Sequence, residues 1–450
     1  MKIIIIGAGG VGEALLQNFI RENHNVTVID SNRKIVEHLV NLYDVQGIAG
    51  GGLEREVLTE ARVGEADIII ACTNRDELNI LACVLAKKLG AQHTIARVRD
   101  PEYFKEIENL RNDLGLDMVF NPERRTAIEI QEILNFPSAK NVESFADGKA
   151  IMAEFEVKKV NQFGGKSVVD IAREYGCKVL FGLIVRGKKT IIPHGDTIIE
   201  NGDTVYLVGA EKEIAAFCKK TKLFKAKAKS VFIVGGGKVA YYLAEHLLKE
   251  GADVKILESN EERCHQLAQL LPRATVIHGD GTDQSVLDEE SITNCDACVT
   301  LTGFDEGNVM ISLYAMQKEV KKVITKIDRA SIITMANGLG LDSLVSPRVA
   351  IANHIIKFVR THKTDEASGI NTYFRLNDKA EALEFLVGGK FKYLNKSLKE
   401  LSMRRDGLIC GIVRGEEYIL PSGDTHILEG DKVIVVTGVK QITELNQIFK

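Results

Sequence analysis

The sequence contains the same glycine-rich turn twice, about half the chain apart. The first copy reads IIIIGAGGVGEAL from residue 3 and the second reads VFIVGGGKVAYYL from residue 231. Each follows an apolar run typical of a buried strand and opens an amphipathic pattern typical of a helix. An acidic residue then ends the next apolar run in both copies, Asp30 in NVTVID and Glu258 in DVKILE. Two fingerprints in matching context predict two Rossmann-type nucleotide-binding folds.

The duplication extends over nearly the whole chain. Five pairs of residues recur at a separation of 225 to 229 residues, namely Gly7 and Gly235, Asp30 and Glu258, Asn79 and Asn308, Pro122 and Pro347, and Pro193 and Pro421. A tandem duplication of one unit of roughly 225 residues explains all five pairs.

The residue pattern changes once within each half. Apolar strands alternate with helical segments up to about residue 120, with helices expected from Val11, Arg33 and Leu78. Such a pattern predicts a parallel sheet covered on both faces. A helical stretch over 123–135 follows, and then strand-like segments such as AIMAEFEV and DTVYLVG. The predicted fold class is α/β, with two doubly wound Rossmann-like parallel-sheet domains, each followed by a small α+β domain.

These changes of pattern set the expected domain boundaries. The expected order is a first Rossmann domain (1–122), a connecting helix (123–140), a first small domain (141–220), a basic linker (221–229), a second Rossmann domain (230–347), a connecting helix (348–365) and a second small domain (366–450). The linker lies within CKKTKLFKAKAKS, which holds six lysines. A solvated linker is the simpler interpretation, and contact with anionic lipid or an acidic partner is the alternative.

Three glycines in the first turn have separate physical roles. Gly7 makes the tight turn, Gly9 lets the backbone approach a pyrophosphate, and Gly12 lets the helix pack closely against the strand. Gly235 and Gly237 repeat the first two roles. The helix N-terminus presents N–H groups and a partial positive charge to the phosphates.

Residues at the ends of the strands complete each predicted site. Asp30 and Glu258 are expected to accept hydrogen bonds from ribose hydroxyls and to repel a 2′-phosphate, which favours NAD(H) or an adenine nucleotide over NADP. Thr73, Asn74 and Thr302 follow the fourth strand of each half, where ligands of such folds bind. The fifth strands end in the cations Arg97 and Lys326. We expect both cations to reach the phosphates, although ordinary charges at strand ends remain the alternative.

Composition excludes several classes of protein. The net charge of −4 and the pI near 6.3 give no indication of nucleic-acid binding. No apolar run reaches the ~20 residues of a membrane-spanning helix, and the N-terminal run is too short for a signal peptide. We therefore expect a cytoplasmic protein. Cys295 and Cys298 form a C-x-x-C, but NCDACVTLT resembles the start of a buried strand more than a zinc or redox site.

The sequence favours a nucleotide that acts as a signal. The ten histidines are scattered, and none pairs with an acid at matched positions of both halves. No Walker loop, H-E-x-x-H or G-x-S-x-G occurs. We therefore predict a protein that is not an enzyme. The alternatives are an NAD-dependent oxidoreductase and a nucleotide sensor for another membrane transporter.

The full pattern resembles the RCK (KTN) regulatory domains of potassium transport systems. The resemblance rests on GAGGVG, ACTNRDELN, ARVRDPEY and NPERR, with the IPHGDT and ENGD turns of a TrkA-C module, and on GGGKVA, HGDGTD, TLTGFDEGN, SPRVA, LPSGDT and LEGD in the second half. It implies a cytoplasmic homo-oligomeric ring of two or four chains. Such a ring binds NAD(H), ATP or ADP and gates a membrane-embedded, TrkH-like potassium-translocating subunit.

The same resemblance implies the residues of two sites. The first comprises Gly7, Ala8, Gly9, Gly10, Val11, Gly12, Asp30, Thr73, Asn74 and Arg97. The second comprises Gly235, Gly236, Gly237, Lys238, Val239, Glu258, Thr302 and Lys326. The halves differ where Gly51 matches Asp280 and where lysine replaces arginine at the fifth strand, so the two sites are expected to differ in ligand or affinity.

Overall fold

The computed structural model describes residues 1–176, 178–223, 227–341, 343–361, 370–377, 379–438 and 442–450. It comprises two units, residues 1–126 with 346–359 and residues 127–345 with 360–450. Residues 224–226 of the expected basic linker and 362–365 of the second connecting helix lie outside the described ranges.

The first N-terminal domain is built on a six-stranded parallel sheet. Its strands are β1 (Lys2–Ile6), β2 (Asn25–Asp30), β3 (Gln46–Ala49), β4 (Ile68–Ala71), β5 (His93–Arg97) and β6 (Met118–Phe120). Their order is β3-β2-β1-β4-β5-β6, with the reversal between β1 and β4. The strands β1 and β4 are almost wholly apolar and buried because helices cover both faces of the sheet. This places the carboxyl ends of β1, β2 and β4 at one edge.

Five helices connect these strands. They are α1 (Gly10–Arg21), α2 (Arg33–Tyr43), α3 (Arg55–Glu60), α4 (Asp76–Leu89) and α5 (Pro101–Leu110). Local sequence sets several of their ends: Asn32 caps α2, Asp100 caps α5 with Pro101 at its first position, and Gly90 ends α4 in a left-handed conformation. The helices expected from Val11 and Leu78 begin one and two residues earlier, and the start expected at Arg33 is confirmed.

The chain continues through α6 (Pro122–Asn135) into a small antiparallel domain. Its elements are β7 (Val142–Phe145), β8 (Ala150–Glu156), α7 (Val168–Tyr175), β9 (Val179–Arg186), β10 (Lys189–Ile191), β11 (Thr204–Gly209) and α8 (Glu211–Lys220), and the strand order is β10-β9-β11-β8-β7. Buried Asp203 accepts two hydrogen bonds from the Arg186 guanidinium, each 2.8 Å long. The ENGD turn, which contains Asp203, therefore holds the arginine at the end of β9 in place.

The second half repeats the Rossmann architecture. Its N-terminal elements are β12 (Ser230–Val234), α9 (Lys238–Lys249), β13 (Asp253–Glu258), α10 (Glu261–Leu270), β14 (Thr275–His278), α11 (Gln284–Glu289), β15 (Ala297–Thr300), α12 (Asp305–Gln317), β16 (Lys322–Lys326), α13 (Ala330–Gly338) and β17 (Leu344–Val345). The strand order β14-β13-β12-β15-β16-β17 matches the first sheet.

After α14 (Pro347–Thr361) comes the second small domain. Its strands are β18 (Ile370–Asn377), β19 (Ala380–Leu386), β20 (Gly407–Arg414), β21 (Glu417–Ile419) and β22 (Lys432–Thr437), in the order β18-β19-β22-β20-β21. Where the first small domain has α7, the second has a single 3-10 turn, Leu398–Glu400. Both predicted Rossmann-like domains and both small domains are therefore confirmed.

The two helices expected to connect domains also supply packing surfaces. In the second unit, α6 buries Ala127, Ile130, Ile133 and Leu134 in the core of the second Rossmann domain. In the first unit, α14 packs on the first Rossmann domain, where the Phe358 and His93 rings meet edge to face at 6.0 Å. Each Rossmann domain is thus completed by a helix from the other half of the duplication.

The two small domains share one apolar core. The rings of Phe145 and Phe374 lie 5.0 Å apart, and Met152, Leu183 and Val436 are buried in the same cluster. This pairing buries the sheet faces that the small domains turn toward each other.

None of the helices in the described ranges combines the length and the apolar character that crossing a bilayer requires.

Candidate nucleotide-binding sites

The first glycine turn has a backbone that only glycine accommodates. Gly7 adopts φ +103°, and a β-carbon there would lie 2.7 Å from the backbone nitrogen of Thr73. A β-carbon on Gly12 would overlap the Gly7 carbonyl oxygen. Gly9, in contrast, is exposed, and a β-carbon there would have nothing within 4 Å. The turn is therefore packed tightly beneath and open above, where a phosphate would approach.

Cys72 supports this turn from below. Its thiol donates to the Gly7 carbonyl at 3.3 Å, and burial raises the pKa of the thiol to about 12. Cys72 thus stays protonated at neutral pH and remains a hydrogen-bond donor. Nothing in the sequence indicates this role, because a cysteine at the end of a buried strand is most often only a small apolar residue.

Asp30 lies beside the turn at the end of β2. One carboxylate oxygen accepts from the Ala8 N–H at 2.7 Å, and the other accepts from the Asn32 N–H at 2.8 Å. A carboxylate has about four acceptor sites, so these two bonds leave room for ribose hydroxyls. Asp30 therefore shapes the turn as well as facing the predicted ribose position.

The second turn repeats this geometry. Gly235 adopts φ +100°, and a β-carbon there would lie 2.8 Å from the Thr302 backbone nitrogen. The Gly236 N–H donates to Glu258 at 2.6 Å, as Ala8 does to Asp30. The Arg263 side chain additionally donates to the Gly236 carbonyl at 2.8 Å. A β-carbon on exposed Gly237 would again meet nothing within 4 Å.

A cavity of about 350 Å³ lies over this second turn. Its lining includes Gly235, Gly236, Gly237, Glu258, Asp280 and Thr302. The volume falls within the range of about 300 to 1,000 Å³ that is usual for small-molecule sites. These residues fit the phosphates and ribose of a dinucleotide or an adenine nucleotide, because exposed Gly237 at the N-terminus of α9 and a carboxylate able to accept from hydroxyls share one cavity.

A buried asparagine organises the loop after the fourth strand in each half. Asn79 accepts from the Thr73 N–H and hydroxyl, both at 2.8 Å, and donates to the Arg97 carbonyl at 3.0 Å. Asn308 makes the same bonds to Thr302 and to the Lys326 carbonyl. The sequence identified this pair only as a repeat marker. Its function in the fold is to tie the ends of two adjacent strands together.

The two strand-end cations also contact this loop. Arg97 donates to the Thr73 carbonyl at 2.5 Å, and burial lowers the pKa of its guanidinium. Lys326 donates to the Thr302 carbonyl at 3.0 Å and forms an ion pair with Asp328 at 3.1 Å. The structure therefore gives both cations a loop-positioning contact. Asn74 is exposed at the same loop.

The two sites differ at their rims. Gly10, the first residue of α1, is matched by Lys238 at the start of α9. A β-carbon on Gly51 would lie 2.6 Å from a Glu54 carboxylate oxygen, and the matching Asp280 lines the cavity in the second half. An acidic side chain therefore lies near the matching position in both halves, Glu54 in the first and Asp280 in the second.

Arg348 is a residue beside the first turn that the sequence did not indicate. Its guanidinium occupies the space that a β-carbon on Gly10 would need, directly at the N-terminus of α1. Arg348 is half-buried, and within the described ranges no carboxylate lies at ion-pair distance from it. Only the packing of α14 on the first Rossmann domain brings this cation to the first turn. Sequence alone gives no signal for that packing.

Other candidate chemistry falls outside these sites. Cys295 and Cys298 are buried thiols, and burial raises the pKa of Cys298 to about 12. Within the described ranges, no group of three or more histidine, cysteine, aspartate or glutamate side chains is arranged to hold a metal ion.

Comparison with known proteins accounts for the whole chain. The TrkA-N domain model matches residues 3–122 and 231–347, and the TrkA-C domain model matches 152–222 and 384–450. The Trk system potassium uptake protein TrkA homolog 2 of Methanosarcina mazei is 33% identical over 100% of both chains. The Trk system potassium uptake protein TrkA of Halomonas elongata is 32% identical over 100% of this chain and 99% of its own.

Solved structures show the same fold. The GsuK channel has a TM-score of 0.65 at 18% identity and covers 98% of this chain and 77% of its own. The GsuK channel bound to NAD has a TM-score of 0.63 over the same shares. Two TrkA-N and two TrkA-C domains in tandem, together with relatives that align from end to end, show that the chain belongs to the TrkA family of potassium uptake proteins.

Proposed function

We propose that this protein is a cytoplasmic regulatory subunit of a potassium uptake system. It binds NAD(H), ATP or ADP at its two glycine turns and controls a membrane-embedded, TrkH-like subunit that translocates potassium. The observation that carries this proposal is the doubled turn, which Asp30 or Glu258 holds and which leaves Gly9 or Gly237 exposed at the N-terminus of a helix. The full-length relatives named as potassium uptake proteins support the transport role.

The turns recognise the shared part of these ligands. A nucleotide supplies a di- or triphosphate, whose negative charge the N-termini of α1 and α9 stabilise. Asp30 and Glu258 accept the ribose hydroxyls while they hold their own turns. Because each carboxylate repels a 2′-phosphate, we expect NADPH to bind more weakly than NADH.

Arg348 adds a cation to the first site. Its guanidinium lies against Gly10, where the terminal phosphates of a bound nucleotide would accept hydrogen bonds from it. The second site carries Lys238 at the position of Gly10, so a cation reaches each turn by a different route. A bidentate arginine and a single lysine bind phosphate differently, which favours different affinities at the two sites.

Regulation requires a ligand that binds two arrangements of the protein unequally. Arg348 lies in the first turn of α14, the helix that precedes the second small domain. A nucleotide that draws the guanidinium onto its phosphates therefore favours one position of α14. In a ring of two or four chains, this preference would be transmitted to the potassium-translocating subunit.

Potassium uptake by cells lacking their own regulatory subunit tests this proposal. The wild-type protein, the Gly9→Asp variant and a Gly338→Asp control are compared for nucleotide binding and uptake. A β-carbon at either glycine meets nothing within 4 Å, so both proteins should fold, but only Gly9→Asp places a carboxylate where phosphate approaches. We expect Gly9→Asp alone to lose binding at the first site and to alter uptake.

Two results would contradict the proposal. One is a Gly9→Asp variant that retains both nucleotide binding and its effect on uptake. The other is a substrate-dependent change in nicotinamide absorbance by the purified protein, which would identify an oxidoreductase instead.

A further inference from the structure

A second cavity, distinct from the glycine turns, lies within the second unit. It encloses about 430 Å³ between the first small domain and the second Rossmann domain. The first small domain and the segment before it contribute residues 137–140, 156, 158, 160–161 and 222–223, and the Rossmann domain contributes residues 316, 320–323, 340–341 and 343. Its volume is within the range of about 300 to 1,000 Å³ usual for small-molecule sites.

The lining is strongly cationic. Among the described residues it contains five lysines and one carboxylate, namely Lys140, Lys158, Lys222, Lys321, Lys322 and Glu156. Glu156 forms an ion pair with Lys140 at 3.3 Å, and Asp296, outside the lining, pairs with Lys321 at 2.7 Å. An excess of lysines in a chain with net charge −4 indicates a local preference for anions.

One of these lysines is fixed in the wall. Lys322 is only 8% exposed, and its ammonium donates to the Ala139 carbonyl at 2.6 Å and to the Ser343 hydroxyl at 2.7 Å. The Ser343 hydroxyl in turn donates to the Lys140 carbonyl at 3.1 Å. These bonds join the two domains and hold a desolvated positive charge at the cavity, where an anion would be strongly attracted.

The lining also contains several apolar side chains. Val160 and Met316 are 56% and 39% exposed, and Leu223, Val320 and Leu341 also line the cavity. A ligand that fits this lining combines a compact anionic group with an uncharged body. A phosphate monoester meets both requirements, because its oxygens accept hydrogen bonds from several ammonium groups at once.

We propose that this cavity binds a small organic phosphate, at a site separate from both nucleotide turns. The bound phosphate lies among the lysines and bridges the first small domain and the second Rossmann domain. Its binding therefore stabilises the contact between them.

Calorimetric titration of the full-length protein with phenyl phosphate tests this inference. A Lys158→Gln and Lys222→Gln double variant is compared with Lys188→Gln and Lys189→Gln, which removes two exposed charges from the first small domain away from the cavity. We expect the wild type and the control to bind the probe, and the cavity variant to bind at least tenfold more weakly. Higher salt should weaken the wild-type affinity.

Two further titrations distinguish binding at this cavity from binding at the glycine turns. Binding should persist in an Asp30→Ala and Glu258→Ala variant, since that variant leaves the lysines intact. Phenol, which lacks the phosphate, should bind far more weakly. The inference is overturned if the wild type does not bind phenyl phosphate at millimolar concentration, if both lysine variants behave alike, or if the Asp30 and Glu258 changes abolish binding. The last of these results would place the probe at the glycine turns, whereas the first two leave nucleotide binding at those turns untouched.

Discussion

Arg348 belongs to the second half of the duplication, but its guanidinium lies at the nucleotide site of the first half. Replacement of Arg348 by glutamine measures what this cation contributes to nucleotide binding there. The guanidinium lies in the space beside Gly10, at the N-terminus of the twelve-residue helix α1. Glutamine retains much of the side-chain length and some hydrogen bonding but removes the charge. The expected result is weaker binding of ligands with several phosphates at the first site.

The size of the effect follows from charge and exposure. Two unit charges about 5 Å apart attract by roughly 3 kcal/mol at an effective dielectric constant of 20. Because Arg348 is half-buried, part of this energy is screened by solvent. Hydrogen bonds to charged groups contribute about 1.5–3 kcal/mol. The loss should therefore weaken ATP binding by about 10- to 150-fold.

Titration calorimetry in a Glu258→Ala background reports mainly the first site. ATP, ADP, AMP and adenosine are titrated, at two salt concentrations, into proteins with and without the Arg348→Gln change. The ratio of the affinity with Arg348 to the affinity with Arg348→Gln should be greatest for ATP and close to one for adenosine. For ATP this ratio should be smaller at high salt. A Val349→Gln change serves as the control, because Val349 is the next residue of α14 and is 53% exposed.

Equal ATP affinity with and without the guanidinium at low salt would exclude a contact between Arg348 and the phosphates. So would an equal loss for ATP and adenosine, because that pattern indicates a general disturbance of the site.

Three further predictions concern folding. Gly7→Ala forces φ +103° on a residue with a side chain and should lower the free energy of unfolding by about 1–3 kcal/mol. Gly9→Ala, in contrast, should melt like the wild type yet bind nucleotide more weakly. Equal melting temperatures for the two variants would contradict the turn geometry. Asn308→Ala removes the acceptor of a loop N–H and should cost about 1–3 kcal/mol in urea unfolding, and an unchanged midpoint would count against this role. Burial tends to raise the pKa of Asp117, but Lys87 and a backbone N–H outweigh burial and lower the pKa. The carboxylate therefore stabilises the fold above about pH 4, and this contribution disappears as the pH falls further. Asp117→Asn should make the free energy of unfolding fall less steeply below about pH 4, and an unchanged pH dependence would argue against this role.

Local sequence was sufficient to predict the Rossmann architecture. Apolar runs ending in Asp30 and Glu258 locate the second strand of each sheet, and the glycine spacing places a helix directly after the first strand. These features depend on short-range rules of burial, turn geometry and helix capping. The ends of the strands follow from the same rules, which is why Arg97 and Lys326 were placed correctly at the ends of the fifth strands.

Contacts between distant segments were not predictable in this way. Arg348 reaches the first turn only because α14, from the second half, packs on the Rossmann domain of the first half. Nothing in the local sequence SPRVA predicts this packing. Asn79 and Cys72 belong to the same class, since their roles depend on the neighbouring strand's carbonyl and the turn above them. The lysine-lined cavity likewise combines residues some 180 positions apart, as the bond between Lys322 and Ala139 shows.

Calorimetric titration of the purified full-length protein with ATP, ADP, NADH and NADPH shows whether the two glycine turns are nucleotide-binding sites. The wild type is compared with Asp30→Ala and with Glu258→Ala, and thermal denaturation confirms that each variant is folded. We expect binding without turnover, weaker binding of NADPH than of NADH, and loss of one of two sites in each variant. Failure of the folded wild type to bind any of the four nucleotides would contradict this expectation.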